Sequence, residues 1–431
     1  MQAVVPTWMP NTSPIDVQTV SRVAVIGSGI SGLAAAYYLS RKHTVSVFEH
    51  EDRIGGHTNT IMVDSSAGPL AVDTGFIVHN DRTYPHFCRL MSELGVEAQL
   101  SDMSFGVSSS DGSFEYSSRG LRGFFAQPAH WTSPSHYLLL REILRFNREA
   151  PKFLESGREV SLLAFLDEGR YHPVFVERYL YPMAAAVWSM AADTMGGFPA
   201  MTLLRFFDNH GLLGINTHPQ WKTLRGGSHS YLEPLTRPYA GRIQTGVNIR
   251  AVTRCDCGVR LEFTGGKPAA EFDHVVFACH GNQVLPMLAD ATDLERDVLG
   301  NFETSRNEVC LHTDVRMMPR RRAAWASWNV RLGSGAVQVT YDMNRLQKLP
   351  TAENYCVTLN ATAAVAAEKV VRKMVYQHPV YSRVAVAAQR RWDEVSGIGR
   401  THFCGAYWFF GFHEDGVRSA LRVAAALGVA V

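Results

Sequence analysis

The chain has 431 residues, of which 46% are hydrophobic and 19% charged, and a formal net charge of +2. At roughly 100–200 residues per domain this length predicts two or three domains with ample core. The near-neutral balance carries no general electrostatic commitment to nucleic acid, and no apolar run reaches the ~18 residues of a membrane-spanning helix.

Met1 to Val20 is polar and proline-containing. It lacks the basic and apolar regions of a secretory signal and reads as a flexible tail over 1–20. Seven cysteines stand at Cys88, Cys255, Cys257, Cys279, Cys310, Cys356 and Cys404. Only Cys255 and Cys257 are close, and no CxxC or Cys/His zinc spacing occurs. They read as reduced structural thiols of a cytoplasmic protein with no metal.

In chain order, residues 22–26 form a β-branched run with the pattern of a buried parallel strand. The turn Gly27-Ser28-Gly29-Ile30-Ser31-Gly32 follows and opens a helix predicted over 31–40. Residues 44–49 predict the second strand. From Trp131 to His210, helix formers and large aromatics predict a helical insert. βαβ-like character returns near Arg225-Gly226-Gly227, and 243–252, 259–263 and 273–278 read as strands. Strands dominate 307–359, with predicted runs at 308–313, 337–341 and 355–359. Residues 401–404 read as a strand and 416–427 as a final helix.

These interleaved pieces predict an α/β protein with a discontinuous Rossmann-type FAD-binding domain over 21–100, 215–290 and 390–431. A mixed α+β substrate domain with a helical insert is predicted over 101–214 and 291–389.

A lone GxGxxG is weak evidence, but this one follows a strand, opens a helix and has Glu49 at the end of the next strand. Gly27 permits the tight turn, Gly29 lets backbone approach a pyrophosphate, and Gly32 lets helix and strand pack closely. The helix N-terminus offers free N–H groups to phosphate, and Glu49 can accept from a ribose diol. Arg53-Ile54-Gly55-Gly56-His57 adds a second glycine pair beside that acid, which a plain NAD fold lacks. Val72-Asp73-Thr74-Gly75-Phe76 gives another tight approach. Together they point to FAD.

With these residues the chain resembles the flavin-containing amine oxidase superfamily over nearly its whole length. That group includes monoamine oxidases, protoporphyrinogen oxidase and phytoene-desaturase-like enzymes. Leu224-Arg225-Gly226-Gly227-Ser228 matches the superfamily's later glycine pair, and Val247 matches its adenine-side strand valine. Phe403-Cys404-Gly405-Ala406, with Gly411-Phe412-His413-Glu414-Asp415-Gly416-Val417, resembles the C-terminal strand, glycine and helix that point at the flavin. The chain looks closest to bacterial NAD/FAD-binding proteins encoded beside cyclopropane-fatty-acyl synthases. Its marks are Asp73-Thr74-Gly75-Phe76-Ile77-Val78, Met317-Met318-Pro319-Arg320-Arg321, Trp325-Ala326-Ser327-Trp328-Asn329 and the 411–416 segment. One branch of that group is tied to desaturating methyl-branched acyl chains on the route to furan fatty acids.

Fingerprint and resemblance together imply non-covalent FAD. The expected cofactor-binding residues are Gly27, Gly29, Ile30, Ser31, Gly32, Glu49, His50, Arg53, Gly55, Gly56, His57, Thr74, Gly75, Phe76, Arg225, Gly226, Gly227, Val247, Ala278, Gly405, Ala406, Phe412, Glu414, Asp415, Gly416 and Val417. Cys404 also raises covalent attachment, which the position of the family's attaching cysteine disfavours.

The chain departs from amine oxidases in one respect. Their water-holding lysine is missing from the matching stretch, Asn307 to Asp314, and no lysine occurs between Lys267 and Lys348. Lys222 is an alternative. The expected catalytic residues are His413, Glu414, His312, Tyr407 and Trp408. The two rings can wall an apolar channel or pack as core. Asp415 can act as base or as helix cap. His312 can act as base or as a core histidine. The apolar stretch 179–189 can line a tunnel or form a buried helix. Residues 135–146 mix Arg141 and Arg145 with apolar side chains, as an ordinary amphipathic helix or a membrane-surface helix does.

The expected function is FAD-dependent desaturation of an apolar lipid, a methyl-branched unsaturated acyl chain of phospholipid, by a protein peripheral to the inner membrane face. Two alternatives stand beside it. One is an amine or polyamine oxidase that releases hydrogen peroxide. The other is a non-catalytic FAD-binding partner of a lipid methyltransferase.

Overall fold

A computed structural model describes residues 19–188, 192–214, 219–333 and 338–431. Most of the predicted tail, together with Ser189 and Val337, lies outside them. The chain divides into two compact units. One holds the described residues of Met1–Gly56, Pro234–Gly300 and Arg390–Val431, and the other holds His57–Glu233 and Asn301–Gln389.

The first unit is built on a parallel sheet of β1 (Arg22–Ile26), β2 (Thr44–Phe48), β3 (Ile243–Gln244), β4 (His274–Phe277) and β5 (Thr401–Phe403). Their order is β3-β2-β1-β4-β5. Every adjacent pair is parallel. Order reverses between β1 and β4, the position where doubly wound sheets bind ligands. Helix α1 (Ile30–Leu39) joins β1 to β2. Val23, Ala24, Val25, Val275, Val276 and Phe277 are fully buried, which explains their unbroken apolar runs. Helix α2 (His413–Ala426) begins three residues earlier than its predicted start.

The predicted strand 243–252 is two strands. Gly246 takes φ +66°, and Val247 N–H donates to Glu49 O at 2.8 Å. The chain therefore leaves the parallel sheet there. It enters an antiparallel meander of Ile249–Cys255, Gly258–Phe263 and Ala270–Phe272.

The second unit holds a seven-stranded sheet in the order Val370–Pro379, Thr304–His312, Cys356–Leu359, Gln338–Asp342, Trp328–Leu332, Phe105–Ser109, Glu115–Ser117. Only the pairing of Trp328–Leu332 with Phe105–Ser109 is parallel among these. Its helical insert contains Pro134–Ser156, Leu162–Glu168, Tyr181–Trp188 and Ala200–Asn209. Ser133 caps the long helix by accepting from His136 N–H, and Gly157 ends it at φ +66°. In the apolar stretch, Leu180, Ala184 and Ala185 are fully buried, so these side chains pack as core.

The βαβ character predicted near Arg225 is replaced by an antiparallel arrangement. Trp221–Leu224 is the central strand between His79–Asn80 and Ala98–Leu100. A 3₁₀ turn, Ser228–Tyr231, follows. That sheet, with the hairpin Thr60–Ser65 and Gly68–Asp73, packs residues 57–100 and 219–233 into the second unit. Among the described residues no helix is long and apolar enough to cross a membrane.

Candidate cofactor site

In the first unit, β1 ends in Gly27 at φ +104°, a conformation L side chains avoid. A Cβ on Gly27 would stand 2.8 Å from Ala278 O, and one on Gly32 only 2.0 Å from Gly27 O. Both glycines are therefore demanded by the protein's own packing of strand against helix. Gly29 differs: a Cβ there meets nothing within 4 Å. It is the N-cap of α1, whose N-terminus carries no side-chain cap and no acidic residue in the first turn, which contains Ile30 and Ser31. Such an end presents N–H groups and positive dipole to an anion.

Glu49 follows β2 and is mostly buried, its side chain 13% exposed. Its Oε2 accepts from Ser28 N–H at 2.8 Å and Ser28 Oγ at 2.6 Å. Its Oε1 accepts from Glu51 N–H at 2.9 Å.

The second glycine pair crosses the first turn. Gly55 N–H donates to Ser28 O at 2.9 Å, and a Cβ on Gly56 would come within 3.1 Å of Gly29 Cα. Arg53 braces this loop, donating to Gly56 O at 2.9 Å and pairing with Glu51 at 3.0 Å. His50 is exposed, 4.0 Å from Glu49 Oε1. Ala278 N–H donates to Ile26 O.

The end of β5 and the start of α2 reach the same place. A Cβ on Gly416 would stand 2.7 Å from Ile30 Cγ2 and 2.8 Å from Ser31 Oγ, so the two helices touch through their first turns. Cys404 is fully buried, its thiol 3.5 Å from Ser31 O. Burial pushes that thiol up to about 12, an unreactive state. Gly405 N–H donates to Ser419 Oγ, and Ala406 O accepts from Gly411 N–H.

Asp415 is the third residue of α2, not its cap. It accepts from Phe412 N–H at 2.9 Å, half of a capping box. Burial, with the Glu414 charge adding to it, pushes Asp415 up to about 7. His413, Glu414 and Val417 are also buried. Tyr407 and Trp408, with ring centroids 5.3 Å apart, are buried in this unit. Trp408 is among its largest fully buried side chains, so that ring packs as core.

The remaining predicted residues lie in the second unit. His57 stacks on Tyr376, centroids 5.0 Å apart. Thr74 Oγ1 donates to Asn59 O at 2.7 Å and meets Tyr376 OH at 2.8 Å. A Cβ on Gly75 would fall 2.2 Å from His57 O, which accepts from Phe76 N–H. Gly226 and Gly227 both take positive φ, and Gly227 packs on Thr60 and Ala71. Arg225 is exposed and paired with Glu97 at 3.1 Å.

One sequence reading needs correction. His312 is a core histidine: it is fully buried, its Nε2 lies 2.7 Å from Thr358 Oγ1, and its Nδ1 accepts from Asp314 N–H at 3.0 Å. Burial pushes it down to about 4. Both nitrogens are engaged, so neither is available to a substrate proton. Lys222 is held by Asp81 at 2.6 Å.

Sequence reasoning gave no role to Ser28, which lies at a variable position of the glycine motif. It also left Asp73 unassigned within its motif. Asp73 accepts from Ser228 N–H and Oγ, each at 2.8 Å, and from Thr60 Oγ1 and Gln347 Nε2. Burial outweighs these donors and pushes it up to about 6. The Asp-Thr-Gly and Gly-Gly-Ser motifs were the available signal. Among the described residues no group of three His, Cys, Asp or Glu side chains is placed to hold a metal.

Comparison with known proteins adds three findings. Residues 30–304, more than half of the chain, match the family described as flavin containing amine oxidoreductase. The glutamate synthase [NADPH] small chain of Mycobacterium tuberculosis is 71% identical over 35 residues, 8% of this chain and 7% of that protein. The chain thus matches under a tenth of that relative's length. Two solved structures share the fold almost end to end. One is a putrescine oxidase bound to putrescine, with 15% identity, TM-score 0.66, and 95% of this chain and 99% of that one covered. The other is a CLA-producing fatty acid isomerase from P. acnes, with 16% identity, TM-score 0.67, and 96% and 99% covered.

Proposed function

Because the chain belongs to the flavin-containing amine oxidoreductase family, and is therefore a flavin-dependent oxidoreductase, we propose that it holds FAD non-covalently and dehydrogenates an acyl chain of membrane lipid. The observation that carries the cofactor is the uncapped turn at Gly29, with the pre-positioned Glu49 carboxylate beside it. Gly29, Ile30 and Ser31 take the pyrophosphate, and Glu49 accepts from the adenine-side ribose, next to Val247. Buried Cys404, donating to Ser31 O, has no part in attachment.

Bound there, FAD supplies a two-electron acceptor at N5. Taking two hydrogens from adjacent acyl carbons would require such an acceptor for the hydride equivalent, and a side chain or water for the proton. Dioxygen or a quinone would have to take up the two electrons for turnover. The first turn of α2 carries N–H groups that would favour negative charge on a reduced flavin bound beside it. His413 and Glu414, at that turn, are the candidate proton acceptors, and Tyr407 is a further candidate for contact with the substrate.

Two things favour an acyl substrate over an amine. Asn307–Asp314 lacks the lysine typical of amine oxidases, and the same fold serves a fatty acid isomerase. The test is anaerobic titration of the purified protein with methyl-branched unsaturated phospholipid. Bleaching of the flavin band and a two-dalton loss from the lipid are expected. An unbleached band with every lipid, together with hydrogen peroxide release from an amine panel, contradicts the reading. The putrescine oxidase likeness makes amine oxidation the second reading.

A further inference from the structure

We propose that the surface carrying Leu121, Trp131, Tyr137, Arg141, Leu144 and Arg148 docks the protein on an anionic lipid bilayer. The surface would give the acyl-chain enzyme direct access to its substrate, and in that sense it rests on the function proposed above.

Four large apolar side chains crowd one stretch of the second unit. Leu121 is 70% exposed, Trp131 54%, Tyr137 47% and Leu144 45%. Singly exposed apolar residues are ordinary, whereas a contiguous set marks an interaction site. Leu121, Trp131 and Tyr137 are joined through Phe125. Phe125, whose N–H donates to Leu121 O, stacks on Trp131 at 4.3 Å and lies 5.6 Å from Tyr137. Tyr137 OH donates to Trp131 O at 3.0 Å. Trp131, half exposed, is therefore braced by its neighbours before any partner arrives.

Tyr137, Arg141, Leu144 and Arg148 follow one another at four-, three- and four-residue steps along the Pro134–Ser156 helix, a single stripe. Its opposite face, with Leu139, Phe146 and Ala150, is fully buried. An outward stripe that alternates tyrosine, leucine and arginine differs from the polar outer face of an ordinary surface helix. It matches a helix lying in a lipid interface.

Charge selects the occupant. Residues 119–152 hold six cations (Arg119, Arg122, Arg141, Arg145, Arg148 and Lys152) against Glu142 and Glu149, a formal +4 in a chain of +2. Arg145 takes both glutamates, at 3.4 and 3.1 Å. Arg141 and Arg148 remain 75% and 72% exposed and approach the same acids only at 3.6 and 4.0 Å. A two-fold contact with a second copy would set this cationic stripe against itself. Anionic headgroups neutralise it.

The test sediments the flavin-loaded full chain with vesicles of phosphatidylglycerol and phosphatidylethanolamine, and with pure phosphatidylcholine. Binding to the anionic vesicles alone, weakened by salt, is expected. Arg141→Gln with Arg148→Gln should lower it by about fivefold per arginine, and Trp131→Ser with Leu144→Ser should abolish it. Equal binding to both vesicle types, or wild-type binding by both variants, overturns the proposal. So does a dimer in solution that the Trp131/Leu144 variant dissociates. Flavin reduction by detergent-dispersed lipid is read separately. A protein that binds vesicles but is never reduced contradicts only the function, and one that is reduced yet ignores vesicles contradicts only the surface.

Discussion

Ser28 donates both its backbone N–H and its hydroxyl to one oxygen of Glu49, at 2.8 and 2.6 Å. The residue inside the glycine turn thereby fixes the carboxylate that follows β2. Because Glu51 N–H holds the other oxygen, the acid is oriented before a ligand arrives, which lowers the ordering cost of binding.

Ser28→Ala removes the hydroxyl and leaves the N–H. Bonds to charged acceptors are worth roughly 1.5–3 kcal/mol, so FAD affinity should fall about tenfold or more. Glu49→Ala should lower it further. Fluorescence titration of the apoprotein with FAD measures both, and unchanged dissociation constants for the two variants would remove Glu49 from the site.

Asp415 and Asp73 make stability depend on pH. Both have folded pKa values raised above the usual 3.8, to about 7 and about 6, chiefly by burial. From pH 4 to about 6 for Asp73, and to about 7 for Asp415, the unfolded chain has released the proton while the folded one keeps it. Stability is therefore fullest below pH 4 as far as these groups are concerned, and it is lost as pH rises to 7. For Asp415 the loss is on the order of a few kcal/mol. Urea unfolding at pH 5 and pH 8 should show a smaller difference for Asp415→Asn, whose side-chain oxygen can still accept from Phe412 N–H. An unchanged difference contradicts this.

His312 should matter to folding and not to chemistry. His312→Ala leaves Asp314 N–H and the Thr358 hydroxyl without their ring partners inside the seven-stranded sheet. The expected cost is roughly 2–4 kcal/mol of stability. Flavin reduction by substrate in the folded fraction should stay within about twofold of wild type. A large loss of reduction rate with unchanged stability would restore His312 to the active site.

The parts legible in the sequence are those whose signal is local. Residues 22–49 carry strand, turn, helix and acid in one window, and the family match bears out that resemblance. What escaped depends on distant partners. Asp73 meets Ser228, 155 residues away, and only folding brings them together. The break at Gly246 arises because Val247 bonds back to Glu49, which apolar periodicity does not reveal. His312 was ambiguous because a lone histidine reads alike as base or as core until its two ring partners are known.

If the turn at Gly29 holds the flavin, two glycines of the one motif should respond differently to a methyl group. Gly32→Ala places a Cβ 2.0 Å from Gly27 O and should disrupt folding, whereas Gly29→Ala meets no protein atom within 4 Å. The decisive measurement is flavin content of purified Gly29→Ala, read by absorbance beside the unfolding free energy of its apoprotein. Little or no bound flavin is expected, in a protein whose stability lies within about 1 kcal/mol of wild-type apoprotein. Full flavin loading of that variant would contradict it.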